Sequence, residues 1–160
     1  MIQSVLIFNQ QGKPRLVKNF NKTLNNSQLV NQSFKLVQDR NQACNFVSLG
    51  DYTLVYRNYA TLFFCLVIDS NESNLGILDL IQVMVEALDR LFESVCELDL
   101  VFHFDQVHFI VDEIIQGGLV IETNVNQIVN NVNEQTLRRK KSQEAPLIPN
   151  SGWFSRLKKT

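Results

Sequence analysis

The chain is poor in the features that would place it in a membrane, a secretory pathway or an oxidising compartment. None of its 160 residues falls in an uncharged apolar run approaching the ~18 residues that a membrane-spanning helix needs. The start, MIQSVLIFNQQGK, has neither a basic segment nor a small-residue cleavage site, which argues against a secretory signal. The three cysteines, Cys44, Cys65 and Cys96, are an odd number without metal-type spacing, which predicts reduced, structural thiols in the cytosol.

Motifs for catalysis and metal binding are scarce as well. The two histidines, His103 and His108, lie five residues apart around Asp105, whereas two metal ligands on one helical face are four apart, and no further ligand or nucleophile is suitably spaced. Asp79 and Glu86 lie on the exposed arc of a predicted helix, where nothing would hold their pKa values apart for acid–base catalysis. No GxxxxGK[ST] phosphate loop follows the first strand. We therefore predict no enzymatic activity, no metal and no cofactor.

Positive charge is concentrated at the C-terminus. The last 25 residues carry seven basic residues and one acid, a net charge of +6, whereas the preceding 135 carry 8 basic and 15 acidic residues, a net charge of −7. An acidic body argues against nucleic-acid binding by the fold. From about residue 136 the composition is typical of a disordered tail. We predict one folded domain over residues 1–135 and a basic, disordered tail over residues 136–160.

The sequence pattern predicts the order β-β-α-β-β-β-α-α-α. Hairpin-linked strands in this order indicate an α+β fold, an antiparallel sheet with helices on its faces. The run LFFCLVI is apolar at every position, which is typical of a central strand covered on both sides. The predicted breaks and caps are a strand break at Asn58, helix N-caps at Ser73 or Asn74 and at Thr123, and a helix end at Gly117-Gly118. The predicted helices cover residues 27–38, 75–95 and 105–115, with a fourth after residue 123.

The predicted helix over residues 75–95 is apolar around an unusually wide arc. A helix that lies on its own sheet needs an apolar stripe of only ~100°. This stripe is about twice that width, since Asp79, Gln82, Glu86 and Asp89 share a polar arc of only about 100°. The excess predicts burial from a second direction, either by more of this chain or by a partner.

The segment LVYRNYATLFF resembles the signature of clathrin-adaptor small chains. The signature has two aliphatic residues, a tyrosine, a basic residue, four variable positions and Leu-Tyr-Phe, and Phe63 stands here in place of its second tyrosine. The resemblance extends over residues 1–135 and includes SVLIFNQQGKPRLVK and the specific stretch VCELDL. GILDLIQ and GGLVIETN are most similar to the sigma subunit of adaptor protein complex 3. The matching signature positions are Leu54, Val55, Tyr56, Arg57, Leu62 and Phe64.

This resemblance implies a longin-like (SNARE-like) fold, with a five-stranded antiparallel sheet and helices on both faces. It implies a non-enzymatic small subunit of a heterotetramer, in direct contact with a large delta-type subunit and assembled with a large beta-type and a medium mu-type subunit. The complex would sort membrane cargo toward lysosome-related or vacuole-related organelles. The chain would be cytoplasmic, peripheral on Golgi and endosome membranes and on coated vesicles. The alternative is the small chain of another adaptor or of a coatomer-type coat. A SNARE is excluded, because it would need a long heptad segment after the folded domain and none fits in the 25 polar residues of the tail.

The family resemblance also implies a binding site for the acidic dileucine signal, [DE]xxxL[LI], of cargo tails. Arg15 matches the family's cation, which would meet the acid. From the residues alone, Leu62 and Leu100 could equally be core residues, and Arg15 could be a solvated charge on a hairpin. The positions that match the leucine pockets are Ala60, Leu62, Val85, Val95 and Leu100, with Tyr59 and Ser94 beside them.

The tail contains SQEAPLI, which is nearly a dileucine signal itself. Leu147 and Ile148 would be the hydrophobic pair, but the acid, Glu144, is one residue out of register. We therefore raise the hypothesis that this segment is a weak pseudo-ligand of the site, against the alternative of a chance match. The basic cluster before it could also touch anionic lipid.

Overall fold

The computed structural model describes residues 1–39 and 44–144, and its centre is an antiparallel sheet of five strands. The strands are β1 (Ile2–Asn9), β2 (Pro14–Asn19), β3 (Phe46–Leu49), β4 (Tyr52–Tyr59) and β5 (Leu62–Ile68). They lie side by side in the order β2-β1-β5-β4-β3. The uniformly apolar strand β5 is the middle strand, as predicted, because only a strand covered on both faces can bury side chains of both orientations.

Helices cover both faces of this sheet, which confirms the predicted α+β, longin-like fold. The helices are α1 (Asn26–Gln38), α2 (Asn74–Phe92), α3 (Glu97–Phe102), α4 (Phe104–Ile114) and α5 (Val125–Glu144). Helix α1 packs on one face through Leu29, Val30 and Val37, and α2, α4 and α5 form the core of the other. The side chains of Asn25 and Ser73 accept backbone N–H groups at the starts of α1 and α2, which satisfies donors that would otherwise lack partners.

The wide apolar surface of α2 is covered by this chain itself. One side of α2 packs on the sheet, and helices α4 and α5 pack against its other side. Ile110 and Ile114 of α4 and Ile128 and Val132 of α5 are fully buried in this same cluster. The second direction of burial is therefore explained by residues C-terminal to α2.

The prediction that Gly117-Gly118 end a helix is wrong. Helix α4 ends at Ile114, and the two glycines form the turn between short strands β6 (Ile115–Gln116) and β7 (Leu119–Val120). Both glycines have positive φ, 58° and 83°, which suits a tight hairpin turn as well as a helix end. Helix α3 lies between the predicted helices over residues 75–95 and 105–115 and was not predicted. Its start is held by the Asp99 carboxylate, which accepts the Cys96 backbone N–H at 2.8 Å.

The last helix differs from prediction at both ends. Asn124, not Thr123, accepts backbone N–H groups at its start, through its Oδ1 atom. Helix α5 runs to residue 144, beyond the point where the composition indicated disorder. Its continuation is supported by the Arg139 guanidinium, which lies 4.6 Å from the centre of the Phe109 ring on α4. The domain boundary at residue 135 stays a prediction. The Leu147-Ile148 pair lies outside the described residues.

Candidate functional site: a cleft between two strained turns

A small cleft opens where the turn after β4 meets the turn after α2. Its volume is about 300 Å³, at the lower end of the range for ligand sites. The first turn is Ala60-Thr61, two residues later than the predicted break at Asn58. The second runs between Phe92 and Glu97, so α2 ends three residues earlier than predicted. The cleft is lined by Tyr59, Ala60, Thr61, Leu62, Phe64, Val85, Asp89, Val95, Cys96 and Glu97.

Backbone strain is concentrated in these two turns. Within residues 1–39 and 44–144, the non-glycine residues with positive φ are Ala60 (52°), Glu93 (51°) and Ser94 (91°). The left-handed conformation costs an L-residue ~1–2 kcal/mol, so each such position needs support from its surroundings. At the second turn, Asp89 supplies it: its carbonyl accepts the Ser94 N–H at 3.1 Å, and its carboxylate accepts the Val95 N–H at 3.0 Å. Strain of this kind collects at binding sites, which marks the cleft as a candidate.

The floor of the cleft is apolar and rigidly packed. Leu62 and Val85 are 3% and 5% exposed, and both belong to the main core. The Tyr59 and Phe64 rings meet edge to face, with centroids 5.8 Å apart. The Tyr59 hydroxyl donates a hydrogen bond to Gln82, which fixes the ring at the cleft edge. A rigid apolar floor can receive aliphatic side chains without the cost of reordering its own.

The rim of the cleft carries negative charge. Asp89 and Glu97 both line it. The pKa of Glu97 is lowered by its hydrogen bond from the Arg15 guanidinium and, next, by that from the Asn9 amide, so Glu97 is a carboxylate at neutral pH. Arg15 Nε and Nη2 donate to the same Glu97 oxygen, Oε1, at 2.9 and 2.6 Å. Arg15 of strand β2 is thereby held at the rim of the cleft by its ion pair with Glu97.

The structure brings together most of the residues that the sequence singled out. Ala60, Leu62, Val85 and Val95 line the cleft, and Arg15 reaches its rim through Glu97. Besides Arg15, two further predicted residues do not line it. Leu100 is 1% exposed and packs in the main core, and Ser94 is exposed in the strained turn.

Sequence reasoning missed Thr61, Phe64, Asp89, Cys96 and Glu97 as cleft residues. The sequence pattern placed Asp89 on the solvent-facing arc of a longer helix. It predicted a structural thiol at Cys96, which is exposed in the structure. Glu97 lies within the VCELDL stretch, which indicated the family but no binding role for this residue. An acid at the first position of a helix is a common N-terminal signal, yet its pairing with a residue 82 positions earlier cannot be read from spacing.

A second, larger cleft is the less suitable candidate for a cation-dependent site. It measures about 470 Å³ and lies beside the start of α2 and strand β7. Its charged lining residues, Glu72 and Asp79, are both acidic, so it offers an acidic ligand no cation. Its apolar lining includes Val83 and Val120.

The histidines and cysteines of the described residues form no metal centre. No group of three or more His, Cys, Asp or Glu side chains could hold a metal ion in residues 1–39 and 44–144. His103 instead stacks on Phe92, with ring centroids 5.7 Å apart. The cysteines Cys44, Cys65 and Cys96 are all free. Over the same described ranges, every helix falls short of the length and apolar character needed to cross a bilayer.

Comparison with known proteins identifies the family of this chain. Residues 1–139 match the sequence profile of the clathrin adaptor complex small chain. The chain is 51% identical over 152 residues to the human AP-3 complex subunit sigma-2, covering 89% of this chain and 78% of the human one. It is 46% identical over 159 residues to the AP-3 complex subunit sigma of Dictyostelium discoideum, covering 92% of each.

Comparison with solved structures indicates the same family. The structural relative is a chain from a homology model of the full-length AP-3 complex in a stretched open conformation, with a TM-score of 0.72 and 40% sequence identity. The match covers 89% of this chain and 98% of that one. These relatives decide between the kinds of coat subunit considered above. The chain belongs to the clathrin adaptor complex small chain family, as a non-enzymatic small subunit of the AP-3 sigma type.

Proposed function

We propose that the cleft binds the acidic dileucine signal, [DE]xxxL[LI], of membrane cargo. The two leucine side chains would enter the apolar floor around Leu62, Val85 and Val95. The acid four residues before them would pair with Arg15. The chain would thereby contribute a cargo-recognition site to an adaptor complex that serves intracellular transport to lysosome-related or vacuole-related organelles.

The observation that carries this proposal is the link between an apolar cleft and a cation. Arg15 lies on β2 and the cleft lies between β4, β5 and α2, yet the Arg15–Glu97 ion pair joins them at 2.6 Å. A signal with an acid and a hydrophobic pair needs both features within the reach of a short extended peptide. Each residue of an extended peptide spans ~3.3–3.6 Å, so a four-residue separation covers about 13–14 Å.

The expected affinity is weak. Burying two leucine side chains contributes at most ~1.5–3 kcal/mol each, and a partly exposed ion pair adds up to ~1 kcal/mol. These contributions total at most ~7 kcal/mol before the costs of association, which corresponds to a dissociation constant of about 10 µM or weaker. Several weak contacts on one membrane, made by one complex, would supply the remaining avidity.

Exposed apolar side chains of this chain would bury against other subunits. The large delta-type subunit is the proposed direct partner, with the beta-type and mu-type subunits in the same heterotetramer. Contiguous exposed apolar groups of this kind mark protein interfaces. They are Leu98, Val101, Phe102 and Phe104 on α3 and α4, and Leu119, Val120 and Ile121 on and beside the β6–β7 hairpin.

The proposed location follows from this role. The assembled complex would be cytoplasmic and attach peripherally to Golgi and endosome membranes and to coated vesicles. Among the described residues, the basic end of α5, with Arg138, Arg139, Lys140 and Lys141, could add a weak attraction to anionic lipid of ~1 kcal/mol per basic group near the surface.

Titration of a fluorescent Glu-Ala-Ala-Ala-Leu-Leu peptide against the co-expressed complex tests the binding proposal. Arg15→Ser should weaken binding by up to about fivefold, because it removes the cation that pairs with the acid. Val95→Asp should weaken it at least ~tenfold, because it places a charge against the leucines. The matched control is Arg138→Ser, since Arg138 is exposed on α5, outside the cleft, and pairs with Glu134.

Each variant must still co-purify with its partner subunits, so that a loss of binding is not a loss of assembly. A peptide with both leucines changed to alanine should not bind the unmodified complex. Unchanged peptide binding by assembled Arg15→Ser and Val95→Asp complexes would overturn the assignment of the site.

A further inference from the structure

The Arg15 guanidinium is already occupied by a carboxylate of this chain. Its Nε and Nη2 atoms both donate to Glu97 Oε1, at 2.9 and 2.6 Å. The two side chains are 24% and 28% exposed, so the pair is neither deeply buried nor freely solvated. One hydrogen-bonding edge of the guanidinium is therefore used before any ligand arrives.

Glu97 is held in this position by a second contact. The Asn9 amide Nδ2 donates to the same Oε1 atom at 2.9 Å. Asn9 is itself fixed, because its Oδ1 accepts the backbone N–H groups of Gln11 at 3.0 Å and Lys13 at 2.9 Å in the β1–β2 turn. The turn, Asn9, Glu97 and Arg15 form one hydrogen-bonded network. The position of the Glu97 carboxylate is thus set by the hairpin rather than by chance contact on an exposed surface.

Glu97 also lies between Arg15 and the apolar floor. It lines the cleft together with Val85 and Val95, whereas Arg15 does not. An acid that approaches Arg15 from the cleft meets this carboxylate first, and Asp89 adds a second negative charge to the rim. Like charges within a few ångströms repel, and one guanidinium neutralises only one carboxylate.

We propose that Glu97 is an internal competitor for the acid of a dileucine signal, holding Arg15 in the unliganded chain and lowering the affinity that the signal's acid can add. This inference rests on the proposed function of the cleft. A signal must displace Glu97 from Arg15 or share the guanidinium with it. Glu97 then sets how much the acid contributes to recognition, while the two leucines bind independently of it.

Glu97→Gln tests this in the assembled complex. Glutamine keeps the side-chain length and an oxygen that can accept from Asn9, but it removes the competing charge. The probes are the Glu-Ala-Ala-Ala-Leu-Leu peptide and the same peptide with glutamine in place of glutamate. We expect Glu97→Gln to tighten binding of the acidic peptide about three- to fivefold, and to leave the neutral peptide within about twofold. The gain should shrink at high salt.

The matched control is Glu134→Gln, which removes the same charge from another ion-paired glutamate, outside the cleft. This control should leave the affinity for both peptides unchanged. Weaker binding of the acidic peptide to Glu97→Gln would show that Glu97 positions Arg15 for the ligand, and equal affinities in the two complexes would show no competition; either result overturns the proposal. If the acidic peptide binds the unmodified complex and loses affinity with Arg15→Ser, the proposed function stands whatever Glu97→Gln does. If it binds none of the complexes, both proposals fail.

Discussion

Replacement of Gly118 by alanine tests how closely the β6–β7 hairpin must approach the start of the sheet. The Gly118 carbonyl accepts the Ile2 backbone N–H at 3.0 Å. A Cβ atom on Gly118 would lie 2.4 Å from the Ile2 carbonyl oxygen, so the hairpin would have to move away from β1. Gly117 is a matched control, because its φ is also positive and an added Cβ would meet nothing within 4 Å.

The difference between the two variants can be worked out from these contacts. Gly117→Ala has only the left-handed strain, ~1–2 kcal/mol, offset by ~0.4–1 kcal/mol from the smaller entropy of the unfolded chain. Gly118→Ala has the same terms and also breaks the Ile2–Gly118 hydrogen bond, which costs ~1–3 kcal/mol if the two groups stay unpaired. We therefore expect Gly118→Ala to lower the melting temperature by about 2–12 °C more than Gly117→Ala.

The measurement is thermal unfolding of the full chain followed by circular dichroism. Amide hydrogen exchange at Ile2 adds a local readout, since exchange should become faster in Gly118→Ala and stay unchanged in Gly117→Ala. Equal losses of melting temperature in the two variants would refute the reasoning, because they would show that the close approach to Ile2 imposes no cost beyond positive φ.

Three further predictions concern the cleft, the last helix and the N-terminus. Alkylation of Cys96 by a bulky maleimide should abolish dileucine-peptide binding in a Cys44→Ser background, because Cys96 lines the cleft and both thiols are exposed; retained binding after complete modification would contradict the site. Arg139→Ala should reduce the free energy of unfolding, measured with urea, by ~0.5–1 kcal/mol, because its guanidinium lies over an aromatic ring. Arg138→Ala should reduce it by less than ~0.5 kcal/mol, because it removes only an exposed ion pair within the helix. Equal effects would show that the ring contact adds nothing. The pKa of Asp69 is lowered by its hydrogen bond from the N-terminal ammonium. The contribution of Asp69 to stability is therefore present above its ordinary pKa of 3.8 and is lost as the pH falls through the lower folded-state pKa. Asp69→Asn should flatten the acid side of the profile of unfolding free energy against pH, and an unchanged profile argues against this ion pair.

Much of the fold was predictable because local and long-range signals agree in it. The apolar run of β5 indicated its central place, and the polar caps Asn25 and Ser73 stand at the starts of the helices that follow them. The errors fall where one local pattern suits two structures. Gly117-Gly118 suits a helix end and a hairpin turn alike, and only the partner strand decides between them.

The end of α5 shows the same limit in a different form. Its last turns are polar and basic, so composition indicated a tail from residue 136. Lysine, arginine, glutamine and glutamate are nevertheless good helix formers, and contacts to α4 hold the helix in place. Tertiary packing therefore extends a helix that composition alone would end.

The strands, the main helices and the family can be read from the amino-acid sequence, because each depends on residues that are close together in the chain. The apolar positions of the cleft, Ala60, Leu62, Val85 and Val95, could also be named from the family's pattern. The place of Glu97, which lines the cleft and holds Arg15, becomes visible in the folded chain alone. That arrangement depends on β2 lying beside β1 and on α3 crossing near it, contacts between residues more than eighty positions apart, and no periodicity or spacing encodes a pairing over that distance.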